Sequence, residues 1–459
     1  MHRLFRSALL STSVFGASWV GAVSYWRATN RMPSTLDLLT WMAVLPLALL
    51  LAFWIGRRVV LARAAAASAT GTAPAADAVP AAPSAPPAVP ALAMLASSIR
   101  TPHGATPAEL AQAIGAQRAR AGLDPELVDD NGFPLLSARA DVAVDEIKAE
   151  VDAWRSGAAL GDPHWSPEQW RALALGSAVA ADLLLAAAGH PQLLAEDDGA
   201  PTVAPLLRIH AAMTPEWNEE QRAVAGAWLA ALAVRYGWPA QRLQVDSLPA
   251  PAPTVLGQLA AHAAGGAEPV FAIVLAFGSR IGEAQVERMA MDGTLFSAAN
   301  PQGLVPGEAA AGLLVADGVQ AALFDPAAPR LQLAGAPRNA QGAGARPDTA
   351  LLRQLAGVLL PDAQAAAGVS AIFADTGHRS APQVELMRFA GEALPHLDAG
   401  EDLKAVGAAC GHCGDAPFLA ALALAHQHAC DSAGAALCVG NEDPLQRTAA
   451  LVSPAAAHS

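Results

Sequence analysis

The chain has 459 residues, 53% of them hydrophobic, and a formal net charge of −13. That length allows two or three domains around a large core. The acidic balance excludes nucleic acid as the expected partner, because phosphate binding needs a basic face.

Part of the apolar content lies at the N-terminus. Residues 7–26 form an uncharged stretch between Arg6 and Arg27, and residues 38–56 form another between Asp37 and Arg57. Each approaches the ~20 residues that cross a bilayer as a helix. Trp19, Tyr25, Trp26, Trp41 and Trp54 lie mostly towards their ends, where interface aromatics sit. The expectation is a two-helix membrane hairpin over residues 1–61, with a cleaved signal peptide as the rival for the first stretch. Arg3 and Arg6 before the hairpin, and Arg57, Arg58 and Arg63 after it, outnumber Arg27 and Arg31 in the connection. This bias places both ends in the cytoplasm and the protein at the inner (cytoplasmic) membrane. Residues 62–90 are almost entirely Ala, Pro, Ser, Thr and Gly, a semi-extended linker that sets off a domain over residues 91–455. In a cytoplasmic domain the four cysteines (Cys410, Cys413, Cys430, Cys438) are expected as thiols.

Strand and helix signals alternate along that domain, which argues for α/β layers. Residues 92–96 read as a strand. Thr106 and Pro107 open a helix running to about Ala121, with Glu109 three residues after the cap. Residues 142–238 read as mostly helical, with the clearest apolar periodicity over 172–188 and 218–236. A Pro-rich stretch at 246–253 precedes a helix over 254–264. A strand follows at 269–277 and a helix at 281–291. Residues 312–315 and 321–324 read as paired strands. Helices are expected at 350–360, 383–393 and 417–429, and strands at 369–374, 435–440 and 448–453. No internal sequence repeat stands out.

One run is specific. Asn300-Pro301-Gln302-Gly303-Leu304-Val305-Pro306-Gly307-Glu308-Ala309-Ala310-Ala311-Gly312 resembles the "GFVPGEGAG" turn and strand of β-ketoacyl synthases, members of the thiolase superfamily. The apolar strand 270–278 is similar to the family strand that precedes a Gly-Gly turn. Gly411-His412-Cys413-Gly414-Asp415-Ala416 is similar to the "GHxxGA" segment that carries a catalytic histidine, with its spacing off by one residue. The resemblance implies a layered α/β/α/β/α domain of two pseudo-equivalent halves, and a homodimer.

It also implies residues that are missing here. The family's cysteine sits at a strand-to-helix elbow, where this chain has residues 245–254, with no cysteine and three prolines. Ser247 and Thr254 are the only hydroxyls there, and the sequence gives Ser247 no base. The second family histidine, in an "HGTxT" turn, aligns by counting back from Glu385 to Ala374, so His378 comes three or four residues late. His412 remains as a vestigial catalytic residue. Condensation needs a thiolate and oxyanion donors, which one displaced histidine does not supply.

Other constellations have plainer readings. Cys410, Cys413, His426, His428 and Cys430 suggest a zinc site, but His426 and His428 are two apart on a helix and face different ways. The expectation is no metal and no cofactor. Asp246, Asp375 and Asp415 suggest a carboxylate cluster at the old active-site position, with caps and turns as the simpler role. The tryptophans between 154 and 238 read as core, or as a docking surface where exposed. The expected function is therefore a non-catalytic, membrane-tethered adaptor or scaffold with protein partners. The "NPxGxxPGEAA" turn is similar to that of ketosynthase-like proteins from bacterial type VI secretion clusters, which implies effector loading and partners in the secretion machinery. The alternatives are an acyltransferase or condensing enzyme using His412 with Cys413 or Ser247, and an acyl-chain or small-molecule sensor.

Overall fold

A computed structural model describes residues 89–455 except 130–131, 195–203, 248–249, 267, 339–347 and 433. The expected membrane hairpin and most of the linker lie outside the described residues. Among the described residues one helix, Pro167–Ala188, is long and apolar enough to cross a membrane, and it packs in the core of the α/β domain.

The first half contains β1 (Ala91–Arg100), α1 (Pro107–Gly115), the hairpin β2 (Gly122–Val128) and β3 (Pro134–Ser137), α2 (Val144–Gly157), α3 (Pro167–Ala188), α4 (Pro191–Leu194), β4 (Leu207–Met213), α5 (Glu219–Arg235), β5 (Leu243–Asp246), α6 (Ala252–Gly265), β6 (Phe271–Ser279), α7 (Glu283–Met291) and β7 (Glu308–Ala316). The second contains α8 (Gly318–Phe324), β8 (Arg330–Pro337), α9 (Ala350–Leu359), α10 (Ala363–Ala367), β9 (Val369–Ala374), α11 (Ser380–Ala393), β10 (Leu403–Ala405), α12 (Gly407–Cys410), α13 (Ala416–Ser432), β11 (Ala435–Gly440) and β12 (Gln446–Ser453).

The strand order is β10-β9-β11-β12-β8-β1-β7-β6-β4-β5. Read outward from the central β8–β1 pair, the two halves have the same order, β1-β7-β6-β4-β5 and β8-β12-β11-β9-β10. They also share the same pattern of parallel and antiparallel pairing. The duplication is therefore real at the level of topology, although no sequence repeat marks it.

Three buried clusters define five layers. α3 and α5 cover the outer face of the first half-sheet. α6 and α13 lie between the half-sheets. α9 and α11 cover the outer face of the second. α13 explains the middle layer. Residues 416–425 are buried without a break, so this part of the helix has no solvent face, as a stretch apolar all round requires. Its alanines let it lie close to β7 and β1 on one side and β11 and β9 on the other.

Three local readings are corrected. Residues 318–324 form α8, a helix capped by Asp317, which accepts from Val319 and Gln320, and the partners of β7 are β1 and β6. The stretch read as mostly helical contains β4, whose alternating burial was hidden between strongly helical neighbours. The first helix ends at Gly115, before the strand β2.

Leu422 is fully buried in α13. Leu422→Ala leaves a cavity in the middle layer, and chemical denaturation should show a loss of about 2–5 kcal/mol.

A candidate vestigial active site

The Pro306-Gly307-Glu308 turn organises the site. Glu308 is fully buried. It accepts from Arg171 Nε at 2.9 Å, from Ser279 Oγ at 3.0 Å and from the Ala140 amide at 2.8 Å, so this one carboxylate ties α3, β6 and the loop after β3 to the start of β7. A Cβ on Gly307 would overlap the Cys410 carbonyl oxygen, and Gly411 (φ 66°) lies against it. Two glycines in contact allow the chain segments to touch. His412 is fixed by that contact, and its amide donates to the Val305 carbonyl at 2.8 Å.

His412 lines a small cavity of about 40 Å³ with His378, Asp375 and Glu442. Burial pushes the His412 imidazole down to about 3, helped by the Arg280 and Arg379 guanidinium groups, so it is neutral at physiological pH. His378 is also lowered by burial. Its Nε2 has no partner, and its ring stands edge-on to Phe296 at 5.1 Å. Counting residues had displaced His378 from the site; the loop after β9 returns it there.

Two loops lock each other behind the histidines. Asp375 accepts from the amides of Asn441 and Glu442 at 2.8 and 3.1 Å. In return, Glu442 accepts from the Gly377 amide at 2.9 Å and pairs with Arg379 at 2.8 Å. Burial raises the Asp375 carboxyl to about 7. No local pattern marks Glu442 or Arg280, because their approach depends on the tertiary fold.

The stretch that the resemblance implies as the elbow connects β5 to α6. Ala252 opens α6, and Asp415 from the α12–α13 connection accepts its amide at 2.6 Å. Burial raises the Asp415 carboxyl. Ser247 points elsewhere: its Oγ lies against Gly226 of α5, and it lines a different groove. Cys413 is buried with its Sγ 3.7 Å from the Cys410 carbonyl oxygen, and burial pushes its thiol well up. Burial raises Cys410 to about 12, so neither thiol is a ready nucleophile.

Of the remaining candidates, His426 and Cys430 touch, with Cys430 Sγ 3.8 Å from His426 Nε2, and the others lie apart. Asp246 pairs with His210 at 3.4 Å on β4 and β5 and does not line the His412 cavity. His426 contacts Ser97 Oγ at 2.9 Å and the Met94 carbonyl at 3.1 Å, while His428 contacts Ser370 Oγ at 2.7 Å. Among the described residues no three His, Cys, Asp or Glu side chains are grouped to hold a metal ion.

No protein-family model matches the chain, and no curated protein matches it. Solved structures do. A ketosynthase from module 6 of the bacillaene synthase of Bacillus subtilis 168 is 12% identical with a TM-score of 0.56, covering 80% of this chain and 73% of its own. The ishigamide ketosynthase/chain length factor is 15% identical with a TM-score of 0.50, covering 80% of this chain and all of its own. At these identities the likeness shows the fold, a ketosynthase-type, thiolase-like α/β fold.

The raised Asp375 pKa gives a pH prediction. An unfolded Asp titrates near ~3.9, so between about pH 4 and 7 the folded protein holds this proton and the unfolded chain loses it. The stability from this group is full below that window and is lost as pH rises through about 7. Asp375→Asn should flatten the decline: the stability of wild type minus variant, from denaturant titrations, should fall between pH 4 and 8. The lowered His412 pKa acts with the opposite sign in both proteins and cancels in that difference.

Proposed function

We propose that this protein is a ketosynthase-fold protein that does not condense acyl groups and acts through protein contacts, as a membrane-tethered adaptor or scaffold. The observation that carries this reading is the Asp415–Ala252 hydrogen bond at 2.6 Å. A carboxylate occupies the helix end where the resemblance implies a nucleophile. A helix N-terminus favours negative charge and lowers a thiol's pKa; here that end is committed to a structural cap.

The cavity supports the same reading. Small-molecule pockets run to roughly 300–1,000 Å³, and the space beside His412 is about 40 Å³. That is room for water rather than an acyl chain, which weighs against both the condensing-enzyme and the acyl-chain-sensor readings. The N-terminal apolar segments would concentrate the domain at the inner membrane. A homodimer, and a role in loading effectors for type VI secretion, are the specific form that the resemblance of the 300–312 turn suggests.

Incubating the Cys430→Ser protein with octanoyl-N-acetylcysteamine thioester tests the chemistry, since Cys430 is the exposed thiol. Intact-mass measurement should show no acyl adduct. An adduct mapped to His378, His412 or Cys413 would overturn the reading.

A further inference from the structure

A groove of about 810 Å³ lies away from His412, between the β2–β3 hairpin and the N-terminal ends of α2, α3 and α7. Trp165 and Trp170 line it, packed edge-to-face with centroids 4.7 Å apart, and Leu127 and Ile281 extend the apolar wall. Trp165 is 7% exposed, yet its indole N–H has no partner. A buried donor without an acceptor costs stability. His164, directly before it, takes a left-handed φ of 51°, a strained backbone for a residue other than glycine.

The charges of the groove are unequal. Arg139 is paired with Asp124 and Glu126, and Arg171 with Glu308. Of the lining groups outside those pairs, Asp145, Glu168 and Glu283 are acidic, and Lys148 is the one base. Lys148 sits over the Trp170 ring at 5.7 Å, which shows that this aromatic face holds a cation.

We infer that this groove docks a short basic, apolar peptide segment of a protein partner. An apolar side chain of the segment lies on the Trp165–Trp170 floor. Its Lys or Arg groups pair with Asp145, Glu168 and Glu283. This inference names the docking site of the adaptor reading and rests on it.

The test uses the full-length protein and two labelled peptides read by fluorescence anisotropy: one of Lys, Arg, Leu and Trp, and the same sequence with Glu at every basic position. The basic peptide should bind, and more weakly as salt rises. Asp145→Lys with Glu283→Lys, both at exposed positions, should weaken it by about tenfold or more in a protein that still unfolds cooperatively, its thermal midpoint lowered by a few degrees because both acids lie in the first turns of α2 and α7. Lys148→Ala removes the competing cation and should tighten it. Equal binding of the acidic peptide, or Lys148→Ala binding no more tightly, would overturn the inference. Either result leaves the non-condensing reading intact if the thioester still gives no adduct.

Discussion

The middle layer sets the terms for the rest of the molecule. Between the two half-sheets, α13 is buried without a break over residues 416–425 and α6 buries the face of Ala252, Val255, Leu256, Leu259 and Ala260. A buried helix end leaves amides without acceptors, and each orphan costs free energy comparable to a lost hydrogen bond. At α6 the acceptor comes from the other half of the chain, through Asp415. That contact joins the two halves of the chain at the start of α6, the helix end on which the non-condensing proposal rests.

The electrostatics around His412 are consistent with that closure. Both histidines are held neutral by burial, and Asp375 is raised toward neutrality. The charged groups that remain are spent on each other or on backbone amides, as in the Arg379–Glu442 pair and the Glu308 anchor. A site built to stabilise developing negative charge needs donors left available for it. Here the Arg379 guanidinium and the Gly377 amide already have acceptors, and His378 Nε2 has no partner.

The parts of the fold that were legible in the sequence carry strong local signals. The α1 cap at Thr106, with Pro107 and Glu109 after it, the continuous apolar run of β6 and the Pro306-Gly307-Glu308 turn all specify their structure within a few residues. β4 was lost because its alternation spans only seven residues between two long helices. α8 was taken for a strand because its short apolar run fits either period. The topological duplication was invisible because strand order is a tertiary property. At the site, the missing cysteine and the position of His412 could be read directly. His378 could not, because loop length sets its register, and neither could the Asp415 cap, whose partner is 163 residues away.

The most direct test of the closed helix end is to place a thiol there. Ala252→Cys in a Cys430→Ser background should react with an acyl thioester no faster than the parent, while adding Asp415→Ala should open the helix end and make the thiol reactive. Acylation of the Ala252→Cys protein with Asp415 still present, at the rate of an exposed thiol, would contradict the account.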